Sequence, residues 1–103
     1  MKYLISWTYR AGGSAAELEE STRRGLAVFS KWTPTETSTF HQFLGRLDGE
    51  GGFAVIETDN PMDLNDAPSM FGPYVKYEIY PVAEIAETMQ SMQRGVEFRD
   101  SIG

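Results

Sequence analysis

The segment FAVIETDNPMDLNDAPSMFGPYVKYEIYPV, residues 53–82, restricts the fold more than any other part of the chain. It reads strand, capped helix, strand. Residues 53–58 carry the β-formers Phe53, Val55, Ile56 and Thr58. Asn60, Pro61 and Asp63 follow as an N-cap, a first-turn proline and an acid near the positive end of a helix dipole. Pro68 keeps that helix short or kinks it, and Gly72 with Pro73 closes it. Residues 74–80 then alternate, with Val75, Tyr77 and Ile79 on one face and Lys76, Glu78 and Tyr80 on the other.

The N-terminal half repeats the same order. Residues 2–9 form a strand in which Tyr3, Ile5, Trp7 and Tyr9 alternate with Leu4, Ser6 and Thr8. Ser14 and Glu17 have capping-box spacing, so a helix starts there. Leu18, Thr22, Gly25, Leu26, Phe29 and Trp32 recur along it at helical period, and Pro34 ends it. A second strand is expected over residues 37–47, and DGEGG makes a hairpin turn into the third. From Val82 the period changes, because Val82, Ile85, Ala86, Met89, Met92 and Val96 form one helical stripe. Two βαβ halves with right-handed crossovers, joined by a hairpin, give an α+β, ferredoxin-like split βαβ sandwich. It has a four-stranded antiparallel sheet and an extra C-terminal helix. Residues 1–103 leave room for one domain. The two crossover helices cover one sheet face. The other keeps large apolar groups, a patch that a homodimer through the open sheet face would bury.

Charge and composition remove several function classes. A net charge of −6 with only nine Lys and Arg opposes phosphate binding, so no nucleic-acid partner is expected. The chain has no cysteine, hence no disulfide, no thiolate nucleophile and no Cys-ligated metal, which suits a cytoplasmic location. The opening MKYLISWTYR is too short an apolar run for a signal peptide, and nothing in the sequence has the length of a membrane span. GxGxxG, Walker and GxSxG patterns are lacking, and the glycines at 12–13 and 49–52 are turn residues.

With the elements placed, several stretches resemble the domain-of-unknown-function family numbered 3303. They are ETDNP, GPYVKYEIYPV, the opening MKYLISWTYR and the hairpin FLGRLDGEGGF. Glu57, Asp59, Pro61, Tyr77, Glu78, Ile79, Pro81 and Val82 occupy the family's strand-end and final-strand patterns. The resemblance covers nearly the whole chain. It implies a dimeric α+β barrel, the architecture of small cofactor-free monooxygenases, muconolactone-type isomerases and stress-response barrel proteins. It implies no reaction and carries over no catalytic residue.

The candidate site residues depend on the hairpin register. Pairing Arg46 with Phe53 sets Leu44 opposite Val55 and Gln42 opposite Glu57. Phe40, Gln42, Leu44, Arg46, Phe53, Val55 and Glu57 then share the open face, joined by Trp7, Tyr9, Lys76, Glu78 and Tyr80. His41, Phe43, Gly45, Ala54, Ile56 and Thr58 share the helix-facing side, where the small Gly45 and Ala54 let helices approach. A one-residue bulge reverses the assignment. In this register Glu57 and His41 lie apart.

Glu57 and His41 are the catalytic candidates. Glu57, at a strand end near Trp7 and Tyr80, has the makings of a general base whose pKa is raised by burial. A strand-end Glu more often pairs with Arg or faces water. His41, the only histidine, could shuttle protons, although a half-buried His bonded to backbone or to Thr58 is the commoner arrangement. It has no partner at metal-ligand spacing, so no metal and no cofactor are expected. The ligand-binding candidates are Trp7, Tyr9, Gln42, Arg46, Glu57, Glu78 and Tyr80. Their aromatic rings could stack on a planar ligand, although such rings are more often core or interface. Glu78 is expected to pair with Lys76 or Arg46 across a dimer seam. Three functional readings follow. The first is a homodimer binding a small apolar or aromatic ligand between sheet and helices. The second is a cofactor-independent monooxygenase or isomerase acting on a small aromatic or enol substrate. The third is a partner-binding module using the last helix, which predicts no enclosed pocket.

Overall fold

A computed structural model describes residues 1–103. The elements are β1 (Lys2–Tyr9), α1 (Ala15–Lys31), β2 (Thr39–Gly45), β3 (Gly51–Glu57), a 3₁₀ turn (Pro61–Asn65), α2 (Asp66–Phe71), β4 (Val75–Val82) and α3 (Ile85–Ile102). The sheet order is β2-β3-β1-β4, and every neighbouring pair is antiparallel. β1 is thus inserted between β3 and β4, as in the split βαβ, ferredoxin-like arrangement. Residues of α1 and α2 meet the same face of the sheet across a common cleft.

Local chemistry sets the element ends. The Ser14 hydroxyl accepts from Glu17 N at 3.1 Å, and the Glu17 carboxylate accepts from Ser14 N at 3.4 Å, completing the capping box of α1. The Asn60 side chain caps the 3₁₀ turn by accepting from Met62 N at 3.1 Å, with Pro61 in its first turn. Pro68 falls in the first turn of α2, where its missing N–H costs no intrahelical bond, so it starts the α segment rather than breaking it. β2 is shorter than the sequence suggests. Thr37 leaves the strand, and its hydroxyl donates to Asp63 Oδ2 at 2.7 Å. Thr58 donates to the same oxygen at 2.5 Å. Asp63 is therefore more than a first-turn acid, because it clamps the start of β2 and the end of β3 to the 3₁₀ turn. The Thr58 and Thr37 hydroxyls hold its carboxyl below the usual carboxylate range.

The hairpin register differs from the sequence expectation. Leu44 pairs with Phe53, Phe43 with Ala54 and Gln42 with Val55; beyond a shift between Phe40 and Gln42, Phe40 pairs with Ile56 and Thr39 with Glu57. The irregularity is the bulge that sequence reasoning left open, and it moves Phe40 to the helix side. Trp7 and Tyr9 are also on the helix side, not the open face. Trp7 lies between Gly52 and Tyr77, and Tyr9 lies opposite Val75. Glycine is required beside Trp7, since a Cβ on Gly52 would overlap the Trp7 ring and the Leu44 carbonyl oxygen.

The core is small. Ile5, Ala54 and Ile56 form its centre, with Tyr3, Trp7, Phe40, Leu64, Tyr77 and Ile79 packed around it. Ile56 is 2% exposed, and burying such a side chain contributes about 1.5–3 kcal/mol. No residue of α1 or α3 is buried. α3 projects from the sheet with Ile85, Met89, Met92 and Val96 exposed on one stripe, and the molecule spans 64 × 31 × 21 Å. The stripe begins at Ile85, because Val82 is still in β4 and pairs with Lys2. The stripe is therefore left largely uncovered by the rest of the chain. No helix is long and apolar enough to cross a membrane.

Candidate functional site

Between α1 and the sheet lies a cavity of about 740 Å³. Its walls follow from the sequence patterns. Leu18, Leu26, Phe29 and Trp32 come from the apolar stripe of α1, Trp7 and Tyr9 from β1, and Phe43 from β2. Phe71 of α2 and Val75 and Tyr77 of β4 close the remaining side. Leu26 and Phe29 line the cavity yet are 64% and 51% exposed, so it is a cleft open along α1.

One end of the cleft is an aromatic cluster. Trp7 meets Phe43 edge to face at 5.4 Å, Trp32 meets Phe71 at 5.5 Å and Phe40 at 6.0 Å, and Phe29 bridges Trp32, Phe43 and Phe71. Trp32 is anchored by donating Nε1–H to Asp66 Oδ2 at 2.9 Å, which joins the end of α1 to the start of α2. The polar groups are few. Burial pushes the Tyr77 phenol up to about 12, with Tyr9 adding to the effect, so at neutral pH its hydroxyl remains a donor. Arg10 is the one charged residue in the lining. Sixteen of the 22 lining residues are hydrophobic, which suits an apolar molecule oriented by a few polar contacts.

The sequence-derived candidates divide between the two sheet faces. Trp7 and Tyr9 line the cleft. Glu57, Gln42, Glu78 and Tyr80 belong to the uncovered face, at register positions shared with Lys2, Val55, Ser6 and Leu4. Arg46 follows β2 in the hairpin turn and pairs with Asp48, not with Glu78. Glu78 instead accepts the Tyr80 hydroxyl, and that bond raises the Tyr80 pKa.

Glu57 and His41 come together rather than apart. His41 Nε2 lies 2.7 Å from Glu57 Oε1, because the bulge lets His41 reach the strand-end carboxylate. His41 thus bonds Glu57, not backbone or Thr58. The His41 hydrogen bond holds the Glu57 carboxyl below its usual range, opposite to the burial-raised base expected from sequence. Both side chains are exposed, at 41% and 49%, and neither lines the cleft.

Sequence reasoning found the α1 stripe and the apolar face of β4 but did not assemble them with Phe43 and Trp7 into one site. The signal was present in the small residues Gly45, Gly52 and Ala54, which leave room for the large rings facing them.

Fold and cleft together define the class, a ferredoxin-like α+β domain with a ligand-sized apolar space between its helices and its sheet. The chain belongs to the family described as Domain of unknown function (DUF3303), whose profile matches residues 1–96. The resemblance carried by the ETDNP and GPYVKYEIYPV stretches is thereby shown. Comparison with curated proteins gives no match. Among solved structures, the chain is similar to a variant of SnoaB, a cofactor-independent oxygenase from Streptomyces nogalater. The identity is 16% over 81% of this chain and 94% of that one, at a TM-score of 0.30.

Proposed function

We propose that the protein is a homodimeric α+β barrel that binds a small apolar or aromatic ligand in the cleft between α1 and the sheet. The observation that carries this reading is the cavity of about 740 Å³ with its aromatic end, a size within the range of about 300–1,000 Å³ typical of small-molecule sites. A ligand seated there would cover α1 side chains that nothing in the chain covers, and so complete the core. Native mass spectrometry and thermal-shift measurements with planar aromatic compounds test it. A retained species or a rise in Tm with ligand concentration is expected. No bound species and no stabilisation would remove the reading.

The dimer is supported by surface accounting. The chain exposes 7758 Å², whereas a compact monomer of its mass exposes about 5,800 Å². The difference of about 1,900 Å² lies within the roughly 1,000–2,500 Å² that each protomer of an obligate dimer buries. Leu44 at 52%, Tyr80 at 46% and Phe53 at 39% exposure mark the uncovered sheet face as the seam, and the α3 stripe offers a second contact. Light scattering at micromolar concentration should give twice the chain mass, and Phe53→Glu should halve it. A monomeric wild type would defeat the barrel. The cytoplasmic location stays part of this proposal and rests on the cysteine-free composition.

The alternative, cofactor-independent oxygenation or isomerisation, draws on His41 and Glu57, but these face away from the cleft. Turnover that survives replacement of both residues would exclude them as its acid and base. The reading of α3 as the sole functional element has less support, because it predicts no pocket.

A further inference from the structure

The geometry points to a more specific ligand for the same cleft: an apolar, ring-bearing molecule that carries an anionic group, held by Arg10. The inference rests on the ligand-binding reading above and adds the chemical class.

Arg10 follows directly after β1 and is the cleft's only charged lining residue. It is fixed on two sides. Its backbone N donates to Tyr74 O at 2.9 Å, and its side-chain Nε donates to Gly72 O at 2.9 Å. These bonds tie the guanidinium to the α2–β4 turn and leave both terminal nitrogens without a protein acceptor. Arg10 makes no salt bridge, unlike Arg23 and Arg24 on α1, which pair with Glu20, and Arg46, which pairs with Asp48; Arg94 and Arg99 on α3 are also unpaired but lie outside the cleft. A guanidinium held through Nε presents two parallel N–H groups to one planar acceptor, the geometry that carboxylates match.

The rest of the chain opposes anions, with a net charge of −6. At physiological salt, however, charges more than about 8 Å away are largely screened, so the charges lining the cleft weigh most at its mouth. No carboxylate lines the cleft to neutralise it. An amphipathic acid would place its rings against Trp7, Phe43 and Trp32 and its carboxylate at Arg10. A neutral ligand of the same shape would leave the guanidinium with water.

The test compares two fluorescent probes with a common ring system, pyrenebutyrate and the neutral pyrenebutanol. They are titrated into wild type, Arg10→Gln and Arg10→Lys. Wild type should bind the acid about tenfold more tightly, the scale of one charge-assisted bidentate contact. The preference should shrink as salt is raised. Arg10→Gln should bind both probes as wild type binds the alcohol, and Arg10→Lys should restore part of the preference. The alcohol is the internal control for folding of the variants. If a variant does not fold, the acid-to-alcohol ratio of wild type and its salt dependence still decide. Equal binding of the two probes to wild type would overturn the role of Arg10 and leave the ligand reading standing. A preference that persists in Arg10→Gln would overturn it as well. Failure of both probes to bind would remove the ligand reading and this inference with it.

Discussion

Gly45 and Gly52 face each other across the β2–β3 ladder, yet substitution at the two positions should have opposite effects. Gly45 lines the cleft, and a Cβ placed there meets nothing within 4 Å. In Gly45→Phe the ring would occupy roughly 130 Å³ of side-chain volume at interior packing density, taken from the cavity of about 740 Å³. Partial burial of that ring contributes about 1 kcal/mol, and removing a strand glycine adds about 0.5 kcal/mol. A gain of about 1.5 kcal/mol raises Tm by about 6–12 °C in a domain of this size. The same ring competes with a ligand for the aromatic end, so the affinity for pyrenebutanol should fall by at least about tenfold. Gly52→Ala has the opposite sign. Its methyl overlaps the Trp7 ring and the Leu44 carbonyl oxygen, and the backbone of a paired strand cannot withdraw, so a loss of about 1–3 kcal/mol is expected. Thermal unfolding followed by circular dichroism, with probe titration of each variant, reads both effects. A Gly45→Phe protein with lower Tm and unchanged probe affinity would refute the reasoning, since it would mean that this position does not open into the ligand space.

Two further outcomes are expected. Glu57 has a folded-state pKa below its unfolded value because of the His41 bond, so its contribution to stability is present above about pH 4.5 and lost as pH falls through the lower, folded value. In His41→Ala the Glu57 carboxyl should titrate closer to the usual 4.5, a shift readable from its side-chain carbon resonance; an unchanged titration would contradict the contact. Gly25 lies inside α1 with the Tyr74 ring 3.7 Å from the position of an added Cβ, an ordinary contact. Gly25→Ala should therefore stabilise the protein by about 0.5–1 kcal/mol, and a fall in Tm would show that the Tyr74 ring cannot yield to the added methyl.

Much of the fold is written in local patterns. Alternation over residues 2–9, the Ser14–Glu17 capping box, the turn glycines and the Asn60–Pro61 cap each specify an element through contacts within a few residues. The order of those elements, with the constraint that crossovers be short and right-handed, leaves few ways to arrange four strands and two covering helices. The sequence also marked the amphipathic stripe of α1 and the apolar face of β4, both of which contribute to the lining of the cleft. Membership of the family could likewise be recognised from the residues of β3, β4 and the turn between them.

Which residues meet was decided only in three dimensions. A single irregularity between Phe40 and Gln42 turned Phe40 toward the helices and brought His41 to Glu57, and no local preference fixes where such a bulge falls. Trp7 and Tyr9 went to the helix side because Trp7 lies opposite Gly52, whose missing side chain leaves room for the indole, and the two residues are 45 apart in sequence. The standing of Arg10 as the single charge in an apolar cleft depends on Gly72, Tyr74 and α1 converging on the end of β1. Local chemistry thus determined the elements of this protein. The site depends on contacts between distant residues, and those follow from register, bulge and packing, which the chain settles only as it closes.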